Sequence, residues 1–170
     1  MTVRPDRTPQ VGDESLRRLS MVERAVTQRL DEALKVHGSG VDQWRILSLL
    51  VEQGACPMNA VADHAMLLAP KLSKLVDRMV STNLVSRRVD NDDRRRVLIF
   101  ATARGRAALE IWDVAVAEVQ LRLREILGAD ADLLDSLLRR LSRGLQPGAL
   151  PAAGDPVEPD AVQAGREPVL

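Results

Sequence analysis

Val85-Ser86-Arg87-Arg88-Val89-Asp90-Asn91-Asp92-Asp93-Arg94-Arg95-Arg96-Val97-Leu98-Ile99-Phe100-Ala101 is the stretch on which the reading of this chain turns. Val85 to Val89 and Val97 to Ala101 are short runs holding β-branched residues, and Asn91, Asp92 and Asp93 between them are turn formers. Such a pattern predicts a hairpin, because Asn and Asp tolerate the tight backbone a turn requires. Three consecutive arginines, Arg94, Arg95 and Arg96, occupy its tip and the start of its second limb.

Upstream of the hairpin the period changes from two to about 3.6. Pro70 suits the first turn of a helix, and Leu72, Leu75, Val76 and Met79 form its apolar stripe. Lys71, Lys74, Arg78 and Ser81 recur at i, i+3, i+7 and i+10, so they share a different, solvent-facing side. Asn83 follows where a left-handed cap is needed, a place that only Gly fills better. Further back, Pro57 is expected in the first turn of a short helix reaching Ala65. A helix over about Val41 to Gln53 precedes it, bounded by Gly40 and Gly54. A longer one runs from about Asp13 to Val36 and ends at Gly38. Downstream, Thr102 opens a long helix to about Leu127, Gly128 breaks it, and a last helix runs from about Asp130 to Leu145. Its leucines, Leu133, Leu134, Leu137, Leu138, Leu141 and Leu145, lie along one seam.

Three short helices followed by a basic hairpin predict a mainly α fold of winged helix-turn-helix type. Helix 70–83 is then the element for a major groove and the arginine hairpin is the wing. The long flanking helices carry more apolar surface than so small a lobe can cover, which points to a homodimer. Three segments follow: a flexible stretch 1–12, a domain 13–145, and a tail 146–170. Within the domain, the DNA-binding lobe spans about 41–101 and the dimer helices about 13–36 and 102–145. The tail holds five of the nine prolines and four acids against one Arg, and it reads as disordered.

Composition agrees. The 170 residues carry 24 Lys and Arg against 24 Asp and Glu, yet residues 71–106 alone hold ten basic residues and four acids. That segregation gives a local electrostatic footprint on a neutral chain. Three aromatic residues, Trp44, Phe100 and Trp112, leave the core to aliphatics. One cysteine, Cys56, excludes an internal disulfide framework and a Cys-rich zinc site. His37 and His64 stand alone, so neither a metal site nor a cofactor is expected. Met1 to Gln10 lacks the apolar stretch of a secretory signal, and no apolar run reaches the roughly eighteen residues of a membrane span. A cytoplasmic protein is expected.

The hairpin and its flanks resemble the MarR family, the multiple-antibiotic-resistance type of bacterial winged-helix regulators. The family's wing commonly reads D-P-x-D-R-R, a short strand, then L-T-x-x-G. Asp90, Asp93, Arg94, Arg95, Thr102 and Gly105 agree in type and spacing, while Asn91 replaces the usual Pro and Ala101 the usual Leu. Asn83-Leu84-Val85-Ser86-Arg87 is similar to the family's G-L-V-x-R ending, with Asn in place of Gly. The resemblance covers about residues 14 to 145. It implies a dimeric regulator on pseudo-palindromic double-stranded operator DNA, in which wing acids pair with and orient the arginines. Shorter segments, His37-Gly38, Gln43-Trp44-Arg45-Ile46-Leu47 and Leu67-Leu68-Ala69-Pro70-Lys71-Leu72-Ser73, resemble a branch that regulates homoprotocatechuate and related aromatic-acid breakdown. That branch implies release from DNA by a phenolic or aryl carboxylic acid.

The residues expected on DNA are Lys71, Ser73, Lys74, Arg78, Arg87, Arg94, Arg95 and Arg96. Lys and Arg neutralise phosphates, Arg can bond guanine O6 and N7 in pairs, and Ser73 is small enough for close approach. A wing arginine can enter a narrow minor groove. For an effector, Arg18 offers a bidentate fork to a carboxylate at the edge of an apolar helix face, with Arg17 and Arg24 as competitors. Trp44 offers a ring-stacking wall, although a Trp in either helix is more often core or dimer packing than a ligand contact. Cys56 is expected to be buried and inert. Two other classes compete: a helical protein-interaction module, which leaves the arginine hairpin unexplained, and a small enzyme. No phosphate loop, nucleophile elbow or catalytic Cys/His or carboxylate set appears, so no catalytic residue is assigned.

Overall fold

A computed structural model describes residues 12–90 and 93–145. The expectations for segment 1–12 (all but Gly12), for Asn91 and Asp92 in the turn, and for the tail 146–170 lie outside the described residues. The described residues fall into two compact units that part between Glu125 and Ile126.

In the first unit α1 (Asp13–Lys35), α2 (Val41–Gln53), α3 (Met58–Ala65) and α4 (Ala69–Ser81) precede the hairpin, and α5 (Ala103–Leu127) follows it. Strands β2 (Val85–Val89) and β3 (Val97–Ala101) have the predicted bounds and pair antiparallel, with Val85 opposite Ala101 and Val89 opposite Val97. A third strand, β1 (Cys56–Pro57), was not anticipated. It pairs antiparallel with β3, giving the sheet order β1-β3-β2. Pro57 therefore does not open a helical turn, as the sequence suggested. It is extended (φ −72°, ψ 157°) and caps α3, whose first residue is Met58. Proline lacks an N–H, and β1 is an edge strand, where that lack costs least. The next helix begins at Ala69 rather than Pro70, which takes a position within its first turn.

The core is aliphatic. Leu34 of α1, Ile46, Leu47 and Leu50 of α2, Val61 of α3, Leu72, Val76 and Met79 of α4, and Ile99 of β3 are fully buried together. Each such side chain contributes roughly 1.5–3 kcal/mol by leaving water. Trp112 of α5 is buried in the same cluster, and Trp44 of α2 packs against it half-buried. No polar or charged residue is buried among the described ones.

Asn83 takes the left-handed conformation (φ 57°), as its place after α4 demanded. This turn also receives the start of α5. Thr102 Oγ1 donates to the Asn83 carbonyl at 2.6 Å and accepts the Gly105 N–H at 3.0 Å, while the Thr102 N–H donates to the Leu84 carbonyl at 3.1 Å. Gly105 lies so close that any Cβ would collide with the Leu84 carbonyl oxygen. The Thr and Gly of the wing motif are thus structural: one caps α5, the other lets its backbone meet the turn.

The second unit holds a turn of 3-10 helix at Gly128–Asp130 and α6 (Ala131–Gly144). Leu133, Leu134, Leu137, Leu138 and Leu141 are all solvent-exposed along it. Among the described residues no helix is long and apolar enough to cross a membrane.

Two outcomes are expected. Gly105→Ala should lower stability by about 2 kcal/mol through overpacking, and Thr102→Val by about 1 kcal/mol through the lost cap. Gly144→Ala, whose added Cβ meets nothing within 4 Å, should stay within about 1 kcal/mol of the parent; chemical denaturation measures all three. Cys56 is buried and its thiol is pushed up by desolvation, so little thiolate is present near neutral pH. Alkylation of the native protein should be slow and should accelerate sharply on unfolding. Equal rates for native and unfolded chain would show that the thiol is accessible.

Candidate nucleic-acid interface

The interface begins with α4. Its apolar stripe seats Leu72, Val76 and Met79 in the core, so helical spacing forces Lys71, Ser73, Lys74 and Arg78 outward. All four are exposed. Lys71, Lys74, Leu75 and Arg78 line a recess that Asp42 of α2 closes at one side. Lys71 Nζ stands 2.7 Å from Asp42 Oδ2, an ion pair between two helices that sequence spacing does not reveal. Among the described residues, Lys74 and Arg78 make no ion pair.

Arg87 is also paired. Its Nη2 donates to Asp77 Oδ1 at 2.7 Å, so it joins β2 to α4 and sets the wing's base against the helix. Arg88, one residue on, places its guanidinium 5.7 Å from the centre of the Phe100 ring, at cation–π range.

At the wing tip the Asp90 N–H donates to the Arg96 carbonyl at 2.9 Å, and the Arg96 N–H donates to the Asp93 carbonyl at 2.8 Å. Asp93 Oδ1 accepts the Arg95 N–H at 3.0 Å. The acid at 93 thus orients the arginines through the main chain, by closing the turn, and not through the guanidinium pairing that the resemblance implied. Arg94, Arg95 and Arg96 are left exposed. Asp93 is therefore a turn device, and it leaves the guanidinium groups of Arg94, Arg95 and Arg96 to solvent.

The two proposed effector residues stand apart within the chain. Arg18 is exposed, and its Nε donates to Glu14 Oε1 at 3.0 Å one turn back. Arg17 approaches the same carboxylate at 3.8 Å. α1 meets α2 at Asp31, whose Oδ1 accepts the Val41 N–H at 2.7 Å. Arg18 lies thirteen residues earlier, about 20 Å along a helix. The Trp44 indole N–H donates to Asp113 Oδ1 at 2.8 Å, tying α2 to α5.

An open cleft of about 340 Å³ does exist beside α2 and α5. Trp112, Ile111 and Leu84 supply apolar wall, and Gln43, Thr82 and Arg104 supply polar groups. The sequence offers Trp112 only as core packing and Gln43 only within a family-like segment, and it gives Arg104 no role. The signal available was weak: an arginine one turn before the aliphatic face of a long helix, with no partner visible until the helices meet.

Residues 41–97 match the MarR family. The HTH-type transcriptional regulator FarR of Neisseria gonorrhoeae is 33% identical over 102 residues, which cover 59% of this chain and 70% of that protein. The structure of NadR in complex with 4-hydroxyphenylacetate is similar at TM-score 0.67 and 28% identity, over 82% of this chain and 99% of that one. The transcriptional repressor CouR bound to a 23-mer DNA duplex is similar at TM-score 0.70 and 25% identity, over 81% of this chain and all of that one. With the wing motif, the element order and these likenesses in agreement, the chain belongs to the MarR family of transcriptional regulators.

Proposed function

We propose that the protein is a homodimeric repressor that binds a pseudo-palindromic double-stranded operator and is released by a small aromatic or phenolic acid. One observation carries the DNA reading: an exposed cationic helix face on α4 directly precedes an exposed arginine wing, on a fold whose relative CouR is seen on duplex DNA. In this reading Ser73, Lys74 and Arg78 meet the major groove, and Arg94, Arg95 and Arg96 meet phosphates or a narrow minor groove. Arg87 braces the wing through Asp77.

Dimerisation is supported by apolar faces that a lone chain leaves wet. Leu16, Leu19 and Val22 of α1 and the leucine seam of α6 are exposed. A second copy is the economical cover, and its symmetry sets two recognition helices about one duplex turn apart.

The effector reading is supported by the structure of NadR with 4-hydroxyphenylacetate and by the cleft between α2 and α5. An aryl ring fits against Trp112 and Ile111, while Trp44 braces the cleft's α2 wall. Arg18 is about 20 Å along α1 from the point where that helix meets α2, and in the proposed dimer it is brought to the partner's cleft to take the carboxylate; Arg104 is the competing fork. Such a ligand need not touch DNA. It need only prefer a dimer with the wrong spacing of recognition helices, and a preference of about 1.4 kcal/mol costs tenfold in operator affinity.

Replacing Arg94 and Arg95 by Ala should weaken binding to every duplex and flatten the log–log salt dependence by about 0.9 for each lost phosphate contact. An unchanged salt slope would remove the wing from the interface. For the effector, 4-hydroxyphenylacetate is the probe. It should weaken operator binding by the parent, and Arg18→Ala should lose that response while keeping ligand-free affinity. Loss in Arg104→Ala instead places the anchor in the cleft, and no response from any aryl acid removes the effector class.

A further inference from the structure

The recess at the start of α4 holds one carboxylate among three cations, and its geometry singles out Lys71. The Asp42 side chain is only 24% exposed whereas Lys71 is 65% exposed, so the acid is the fixed member of a 2.7 Å pair. Each residue also sits in the first turn of its own helix. The positive end of the α2 dipole favours the Asp42 carboxylate, while the same end of α4 disfavours a cation at Lys71. No acid lies in the first turn of α4 itself, so the compensating charge comes from α2. Lys74 and Arg78, which line the same recess, have no ion-pair partner among the described residues.

Resting on the DNA-binding reading above, we propose that Asp42 is a specificity-determining residue: by holding Lys71 it withholds one cation per protomer from the DNA backbone. Binding to unrelated duplex is almost entirely phosphate neutralisation, so each cation withheld weakens it directly. Binding to the operator also draws on base contacts from the α4 face, which the pair leaves untouched. The ratio between the two therefore rises when Lys71 is held. Asp42 achieves this with no base contact of its own. The same recess also repels a phosphate from the carboxylate side, but that repulsion acts whether or not Lys71 is present. A double-mutant cycle separates the two effects.

The test titrates the full chain, as parent, Asp42→Asn, Lys71→Met and the double variant. Two probes are used: a mixed-sequence duplex and a duplex the protein itself selects from a random pool. Salt runs from roughly 50 to 200 mM, a range over which one phosphate contact changes affinity by about 3.5-fold. Asp42→Asn should steepen the log–log slope on mixed sequence by about 0.9 per protomer and lower the ratio of selected to mixed affinity. In the Lys71→Met background the same change should have little effect, and Lys71→Met alone should flatten the slope far less than Lys74→Met. The proposal is overturned if Asp42→Asn leaves the slope unchanged, or steepens it equally without Lys71. It is also overturned if Lys71→Met and Lys74→Met flatten it alike; that comparison decides alone should Asp42→Asn fold poorly. If the parent binds neither duplex, the DNA-binding reading itself falls, an outcome unlike any of these.

Discussion

The elements that carry the exposed cations meet at two peptide units, those of Asn83 and Leu84. α4 ends there, β2 begins there, and the first turn of α5 is bonded to their carbonyls through Thr102. Leu84 is buried, and a buried backbone carbonyl must be paired; here the pairing is done by a threonine that simultaneously caps a helix. The close approach leaves no room for a side chain on α5, hence Gly105. α4, the wing and α5 consequently share one junction.

The charges are arranged on that frame in two classes. Arg87 and Lys71 are paired with acids on neighbouring elements, whereas Lys74, Arg78 and the tip arginines point to solvent. The chain is neutral overall, so attraction to a polyanion depends on where acids are spent. Asp77 braces the wing and Asp93 closes its turn through main-chain bonds. Neither pairs with Lys74, Arg78 or the tip arginines, so a neutral chain presents exposed cations on one helix face and one hairpin tip.

Much of the fold is legible from one-dimensional pattern because the patterns are local. Hydrophobic period located α1, α2 and α4, and turn chemistry located the hairpin to the residue. Asn83 in the left-handed region follows from its place after the last apolar position of α4. β1 escaped because two residues cannot display a period, and Pro57 argues for a helix start when read alone. The wing motif's Thr102 and Gly105 were recognisable as a pattern, yet their reason lies in the turn nineteen and twenty-one residues earlier.

Local pattern is enough for the helices and the hairpin, for the outward placement of Lys74, Arg78 and the wing arginines, and for the family, but not for β1. These depend on spacing along one helix or one hairpin, which the chain encodes within a few residues. Which cations are held follows from packing alone. Asp42 and Lys71 are twenty-nine residues apart in sequence and 2.7 Å apart in space, and Trp44 reaches Asp113 across sixty-nine. Such pairs exist only after α2, α4 and α5 have buried a common aliphatic core, since nothing in the local spacing of a charged residue records which helix will pack beside it.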